Sequence, residues 1–468
     1  MKTTRTVAPE WAPANRRASR TAGLRVFLLI GLVSLGWCGC ERRAPEPPVA
    51  ASKTPPRQTP RVPVNAPVEA PVQALVAASA PAKVVAPEPP AIVDRQAPGS
   101  KLPLYELKMN PQDVPALDNE AFSDNPHPAT FLAGGVTYEG VKVRARGAWS
   151  RGWPKKSLKI FFDHKQPFAG HNSLDLNSGW RDPAFVRETL AYHVYALCGA
   201  PASTSRLVRL EINGQFRGLY VEVEVPGKSL LHRFDLKGAS LYKAISRANV
   251  ADERDLGSPS AYTSHYKKET QTDEGNDELA RFCRELNRAS NPLDFFTRHV
   301  DLDKYINYLA ASVLLQNWDG FNKNHYLVYD GHGSRKWFVV PWDLDRTLGD
   351  HWSWSFSETR LPLLLGTRQS PGITGWNRMQ ERFFSDPTLR TRFFKRLAEL
   401  LETEFTPEKL FPFLDRLESE IEPEAKLDRR RWPSQYADFH RGIAQVKTYV
   451  ERRRAYLLAE IPKSRPAE

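Results

Sequence analysis

The order of periodic segments along this chain predicts an α+β fold in two lobes, with strands first and helices second. Three observations carry that prediction. Between Leu104 and Val225 short runs alternate apolar and polar residues; beyond Glu278 most segments carry apolar residues at helical spacing; and nearly all of the 12 Trp, 15 Tyr and 23 Phe fall after Leu104, enough apolar bulk for a sizeable core. Strands are expected at 104–109, 140–146 and 157–162, the second of them alternating valine and alanine with basic residues. A helix over 185–197 follows from the spacing of Phe185, Val186, Leu190, Val194 and Leu197, and Gly199-Ala200-Pro201 stops it. A hairpin over 207–225 turns at Asn213-Gly214, a pair that accepts the left-handed backbone of a tight turn. Helices are then expected over 278–288, 302–318, 387–405, 407–422 and 439–458, interrupted by one hairpin of 325–329 and 337–340 around Asp330-Gly331-His332-Gly333.

The first hundred residues read differently. An uncharged run from Val26 to Cys40 follows a basic segment ending at Arg25, the layout of an export signal, and it is shorter than the roughly 20 residues that cross a bilayer. Gly39-Cys40 at its end resembles a bacterial lipoprotein signal, so Cys40 is the expected lipidated residue and the anchor is expected in the cell envelope. Glu41 lacks the Asp associated with inner-membrane retention, which favours the outer membrane. Between Ala44 and Pro98, 14 prolines and 13 alanines fill 55 positions, too little apolar bulk for a core, so 40–100 should be a semi-rigid spacer. The domains expected are therefore a signal over 1–39, this spacer, and a globular unit over 101–462 divided near residue 240. The formal charge of +12 is shared with that N-terminal region, leaving about +5 on the remainder. Without clustered bases nucleic acid is not an expected partner, and four cysteines exclude a disulfide scaffold.

Two clusters flank the second hairpin. Asn317-Trp318-Asp319 with Asn324 ends a helix before it, and Pro341-Trp342-Asp343-Leu344-Asp345 follows it. A hairpin brings its ends together, so Asp319, Asn324, Asp343 and Asp345 should converge; hard oxygen donors gathered this way suit Mg²⁺ or Mn²⁺ held with substrate phosphates. Protein kinases carry an Asp, an Asn five residues later, a hairpin and a second Asp in this order. Asp345 is open between a metal ligand and an N-cap.

Together with Val141–Gly147, Pro154-Lys155-Lys156-Ser157, Phe185-Val186-Arg187, the run from Asn213 to Tyr220 with Glu224, and Leu241-Tyr242-Lys243, these clusters resemble the CotH family of spore-coat-protein-H-like kinases. The resemblance implies an atypical protein-kinase-like fold that uses ATP and a divalent metal to phosphorylate proteins. It implies Asp319 as the catalytic residue, Asn324 and Asp343 as metal ligands, and Glu224 as an acid near the nucleotide. The run Ala148-Trp149-Ser150 after Gly147 departs from the family's small polar pattern. A lysine of the strand lobe must also reach the phosphates. Alternation puts Lys156 on one face with Leu158, Ile160 and Phe162, and Lys159 on the other with Ser157 and Phe161; its apolar neighbours make Lys156 the first choice and Lys159 the second. Arg146 either contacts phosphate or pairs with an acid.

The expected function is an exported, lipid-anchored protein kinase acting on Ser or Thr of an envelope or extracellular protein. The alternatives are a non-catalytic scaffold of the same fold, or AMP transfer by the same site. Cys198 and Cys283 are either a disulfide or two reduced core thiols; His325 and His332 are hairpin residues, not zinc ligands; His351-Trp352-Ser353-Trp354 is an acceptor surface or interlobe packing.

Overall fold

The computed structural model describes residues 99–245, 250–351, 356–368, 376–434 and 438–464. The signal segment, Cys40, nearly all of the spacer, and Trp352 to Trp354 lie outside these residues.

Seven strands form a closed barrel in the spatial order β1 (Leu104–Lys108), β2 (His127–Ala133), β3 (Val136–Arg146), β4 (Ser157–Phe161), β5 (Ser173–Asn177), β7 (Gln215–Val223) and β6 (Ser205–Ile212). Neighbours are antiparallel except at the seam, where β1 pairs with β6 in parallel, Tyr105 opposite Leu210. Alternate side chains point inward, so Leu107, Phe131, Val143, Leu158, Ile160 and Leu176 fill the barrel with almost no exposure. The Asn213-Gly214 turn takes positive φ at both residues, 51° and 73°, as its sequence demands.

A second, larger core holds the remaining elements together. It contains a four-stranded sheet in the order β11 (Trp337–Pro341), β10 (His325–Tyr329), β8 (Ser240–Ala244), β9 (Tyr266–Lys268). Around that sheet lie α4 (Asp277–Arg288), α5 (Pro292–His299), α6 (Leu302–Leu315), α7 (Arg378–Ser385), α8 (Pro387–Thr403), α9 (Pro407–Arg431) and α10 (Phe439–Ser464). Helix α2 (Arg187–Leu197) leaves the barrel between β5 and β6 and buries Leu190 and Val194 in this same core. The short helices α1 (Ala116–Asn119) and α3 (Lys228–Arg233) complete the described elements.

The strand-then-helix order holds, with two informative differences. Sequence periodicity missed β2, β5, β8 and β9; three of the five β5 residues are polar, and β5, β8 and β9 are short. Helix α9 also runs nine residues beyond Glu422, although Pro423 removes an amide donor there. Its extension buries Ala425 and Asp428 against the barrel, which offsets the loss of one helical bond. The two lobes are tied at that point. Lys155, on the β3–β4 loop, and Asp428 meet at 2.5 Å with both side chains fully buried, Asp428 also accepts the Leu219 amide at 2.8 Å, and the Trp432 indole donates to the Arg217 carbonyl at 2.8 Å. Cys198 and Cys283 are free, buried thiols, and burial pushes Cys198 up to about 12.

Candidate active site

Helix α6 is started by Asp301, whose carboxylate accepts the Lys304 amide at 3.2 Å, and is ended by Gln316 in the left-handed conformation at φ 51°. The chain then crosses the floor of the interlobe cleft as the loop 317–324. That loop is held from beneath. Asn317 donates to the Tyr195 hydroxyl at 2.9 Å, Asn377 to the Phe321 carbonyl at 2.8 Å, the Ala251 amide to the Asn322 carbonyl at 2.9 Å, and the His325 ring lies 3.0 Å from the Lys323 carbonyl. Fixing the backbone this way leaves Asp319 facing the cleft, bound to Lys323 at 2.8 Å and accepting the Asn324 amide group at 3.0 Å.

The β10–β11 hairpin does what its sequence predicts: the Trp342 amide donates to the Asn324 carbonyl at 3.0 Å, so Asn324 and Asp343 stand at adjacent strand ends. Both adopt positive φ, 55° and 58°, a conformation that Asn and Asp tolerate better than most residues and that concentrates at functional sites. Asp319, Asn324, Asp343 and Asp345 all line one cleft of about 530 Å³. The described residues that follow Asp345, 346–351, form turns and no helix, so Asp345 does not cap one there.

The opposite wall comes from the barrel. Register sets Arg146 beside Ser157, and Arg144 beside Lys159, which faces Asp175; these side chains share the outer side of the barrel, where Arg146 and Ser157 line the cleft, while Ala145, Leu158 and Leu176 point inward. Asp175 is bound by Arg146 at 3.0 Å and Lys159 at 2.9 Å. Burial alone would raise its pKa, but those two cations hold it below the usual carboxylate range. Arg146 also donates to Asn177 Oδ1, and Asn177 donates to both oxygens of Glu188, at 2.8 and 2.9 Å. Glu188 on α2 was not singled out from sequence. Its signal was the Arg187-Glu188 pair opening a helix that is otherwise apolar on its buried side.

Two expectations are corrected. Lys156 belongs to the inward face, which the barrel core occupies; its ammonium turns back onto the Trp153 carbonyl, and its charged neighbours are Asp118 and Arg217. Apolar neighbours on a strand of a closed barrel mark the interior, not a cleft; Lys159, on the outer face, is bound to Asp175 and does not itself line the cleft. Glu224 accepts the Thr204 amide at 3.0 Å and pairs with Arg233, and it does not line the cleft.

The carboxyls crowd one another. Burial and then the charge of Asp343 push Glu188 up to about 8, and burial, Asp343 and Glu188 together hold Asp345 well above its usual value. Burial also raises Asp319, against the pull of Lys323. Among the described residues no three His, Cys, Asp or Glu side chains already form a cation cage. Asp319, Asn324, Asp343 and Asp345 are hard oxygen donors, the kind that suits a divalent ion held by one or two carboxylates and completed by phosphate oxygens, and such an ion would relieve the repulsion among Glu188, Asp343 and Asp345.

Glu188 has a measurable consequence in the ligand-free protein. Its folded pKa of about 8 lies above its ordinary value of 4.5, so the folded state keeps a proton that the unfolded chain releases. Its contribution to stability is full below the lower value and is lost as pH rises through the upper one. Glu188→Gln is expected to gain on wild type between pH 5 and pH 8.5 by on the order of 2–4 kcal/mol, read from thermal or urea unfolding at the two pH values. Parallel curves would refute it.

The family described as CotH kinase protein matches residues 143–457. The chain is 27% identical over 366 residues to the inner spore coat protein H of Bacillus subtilis, covering 76% of this chain and 97% of that protein. It is 24% identical over 208 residues to the invasin CotH2 of Rhizopus delemar, covering 42% and 35%. A solved structure, the Helicobacter pylori proinflammatory kinase CtkA, aligns with TM-score 0.31 and 10% identity over 66% of this chain and 94% of that one. With more than half of its residues matched by the family, and with the acids of both clusters in a single cleft, the chain belongs to the CotH kinase family.

Proposed function

We propose that this protein is an exported, membrane-anchored atypical protein kinase that transfers the γ-phosphoryl group of ATP to a Ser or Thr hydroxyl of an envelope or extracellular protein. The observation that supports it most is the convergence of Asp319, Asn324, Asp343 and Asp345 on one cleft whose far wall presents Arg146, Asn177 and Glu188. Family membership and the resemblance of residues 26–40 to a lipoprotein signal support the rest of the reading, with Cys40 as the anchored residue.

Asn324 and Asp343, with Asp345 beside them, would hold Mg²⁺ or Mn²⁺, which when bound neutralises phosphate charge. Asp319 accepts the proton of the acceptor hydroxyl as that oxygen forms its bond to the γ-phosphorus and the bond to the β–γ bridging oxygen breaks, releasing ADP. Lys323 and Asn324 keep the Asp319 carboxylate aimed. Arg146, fixed by Asp175 and linked through Asn177 to Glu188, takes the part that a lysine paired with a helix glutamate plays in other protein kinases.

The test is incubation of the full chain, purified in detergent, with a generic protein acceptor, Mg²⁺ or Mn²⁺, and ATP labelled at either the γ or the α position. Label from the γ position alone, on the acceptor or on the chain itself, is the expected result. Label from the α position would mean AMP transfer. Absence of both, with no nucleotide binding, would leave a scaffold of kinase-like fold.

A further inference from the structure

Glu253 does not line the cleft and has no part in the mechanism above, yet it is a buried acid standing at positive φ, 54°. A residue of that size stays in such a conformation only where its surroundings over-determine it. Three elements do so. Its amide donates to the Tyr266 hydroxyl of β9 at 3.2 Å, its carbonyl accepts the Asn287 side chain of α4 at 2.8 Å, and the Asp252 carbonyl accepts the Arg378 amide of α7 at 2.9 Å. The Tyr266 hydroxyl donates in turn to Glu253 Oε1 at 2.9 Å. The same oxygen lies 3.2 Å from His325 Nε2, so the bracket reaches the first residue of β10.

His325 passes that contact on to the loop 317–324. Four successive carbonyls there are held: Phe321 by Asn377, Asn322 by the Ala251 amide, Lys323 by His325 Nδ1 at 3.0 Å, and Asn324 by the Trp342 amide. Asn377 and the two backbone amides are donors whatever surrounds them, whereas an imidazole nitrogen donates only if it carries hydrogen. A carbonyl can only accept, so Nδ1 must carry one, and the bond between Nε2 and Glu253 Oε1 then holds a single proton on one atom or the other. Without Glu253 the ring is free to put its hydrogen on Nε2, which would set the Nδ1 lone pair against the Lys323 carbonyl. That carbonyl belongs to the peptide entering Asn324, and the angle of this peptide about the Asn324 Cα is the φ of 55°. Releasing it lets Asn324 relax toward negative φ and turn its side chain.

We infer that Glu253 is a positioning residue for the cation site: through His325 it fixes the peptide that sets Asn324. The inference rests on the reading of Asn324 as a metal ligand, and it adds to that reading a residue that touches neither metal nor substrate. Partners that orient a ligating group in this way are typically worth about 10- to 100-fold in metal affinity.

The experiment uses the full chain as wild type, Glu253→Leu, His325→Asn and the double variant. An asparagine amide places a donor where histidine has Nδ1 and needs no neighbour to fix a tautomer. Glu253→Leu is expected to weaken Mn²⁺·ATP, measured by calorimetry, by roughly 10- to 100-fold, and to speed hydrogen exchange of the ligand-free protein in fragments covering 317–326. His325→Asn retains most of the affinity, and adding Glu253→Leu to it changes nothing further. A glutamate that only supported the fold would cause the same loss in both backgrounds, so equal losses overturn the inference. Affinity and exchange in Glu253→Leu that match wild type overturn it too, and both results leave the kinase reading standing. Folding of Glu253→Leu only in the His325→Asn background supports the inference, since the acid then acts through the imidazole; folding in neither background marks a structural acid and overturns it. If wild type itself fails to bind Mn²⁺·ATP, the nucleotide reading falls and exchange decides: faster exchange in Glu253→Leu that His325→Asn restores keeps the positioning role, and unchanged exchange overturns it.

Discussion

Asp343→Asn is expected to reduce Mg²⁺·ATP-dependent transfer by roughly 10³-fold or more, since it removes the charge that would fix the cation against the transferring phosphate. Asp343 stands at positive φ at the end of β11, in a cleft it shares with Asp319, Asp345 and Glu188, so it cannot be replaced by a neighbour without moving the hairpin. Asp319→Asn is expected to behave differently. It should lower kcat by roughly 10²- to 10⁴-fold, the usual worth of a positioned proton acceptor, with little change in nucleotide affinity, because its contacts are to Lys323 and Asn324. Parallel titrations of ATP and metal separate the two roles. Should both variants lose nucleotide binding equally while retaining transfer at saturation, the assignment of acceptor and metal positions would be wrong.

The largest effect on folding is expected at Asp428. Asp428→Ala should cost about 3–5 kcal/mol, because it strands the Lys155 ammonium and the Leu219 amide in a site that water does not reach. Burial already lowers Lys155 to about 8, with Asp428 the chief opposing influence. There is no room for a rearranged partner: a Cβ added at Gly218 would lie 2.8 Å from both the Asp428 carboxylate and the Lys155 side chain. The double variant Lys155→Met/Asp428→Leu, which removes both charges together, should return to within about 1.5 kcal/mol of wild type, since buried pairs are often replaceable by apolar residues of similar volume. Urea unfolding at pH 7 measures all three proteins. A single variant no less stable than the double would refute the account.

The hairpin and its acids were legible because their meaning is local. Asp319, Asn324, Asp343 and Asp345 lie within a few residues of strand ends whose pairing the Gly-containing turn dictates. The barrel wall was much less so. Whether Lys156 or Lys159 points out of the barrel depends on which side of β4 is enclosed, and that is fixed by closure of seven strands, of which only β3 and β5 pair with β4. Glu188 and Asn177 escaped for the same reason: their partnership with Arg146 joins β3, β5 and α2, and no spacing in the sequence reports it. Asp428 lies past a proline that normally marks a helix end, so the helix that carries it was expected to stop short.

The seam between β1 and β6 sets where the folded unit has to begin. The stretch matched by the family opens at residue 143, inside β3, whereas the parallel ladder that shuts the barrel uses Leu104 to Leu107. A fragment cut to the family boundary would lose two staves and most of a third, baring the backbone of β6 and the apolar lining formed by Val208 and Leu210. Such an open rim invites intermolecular strand pairing, so the forty residues ahead of the recognisable motifs are as much a part of this domain as the motifs themselves.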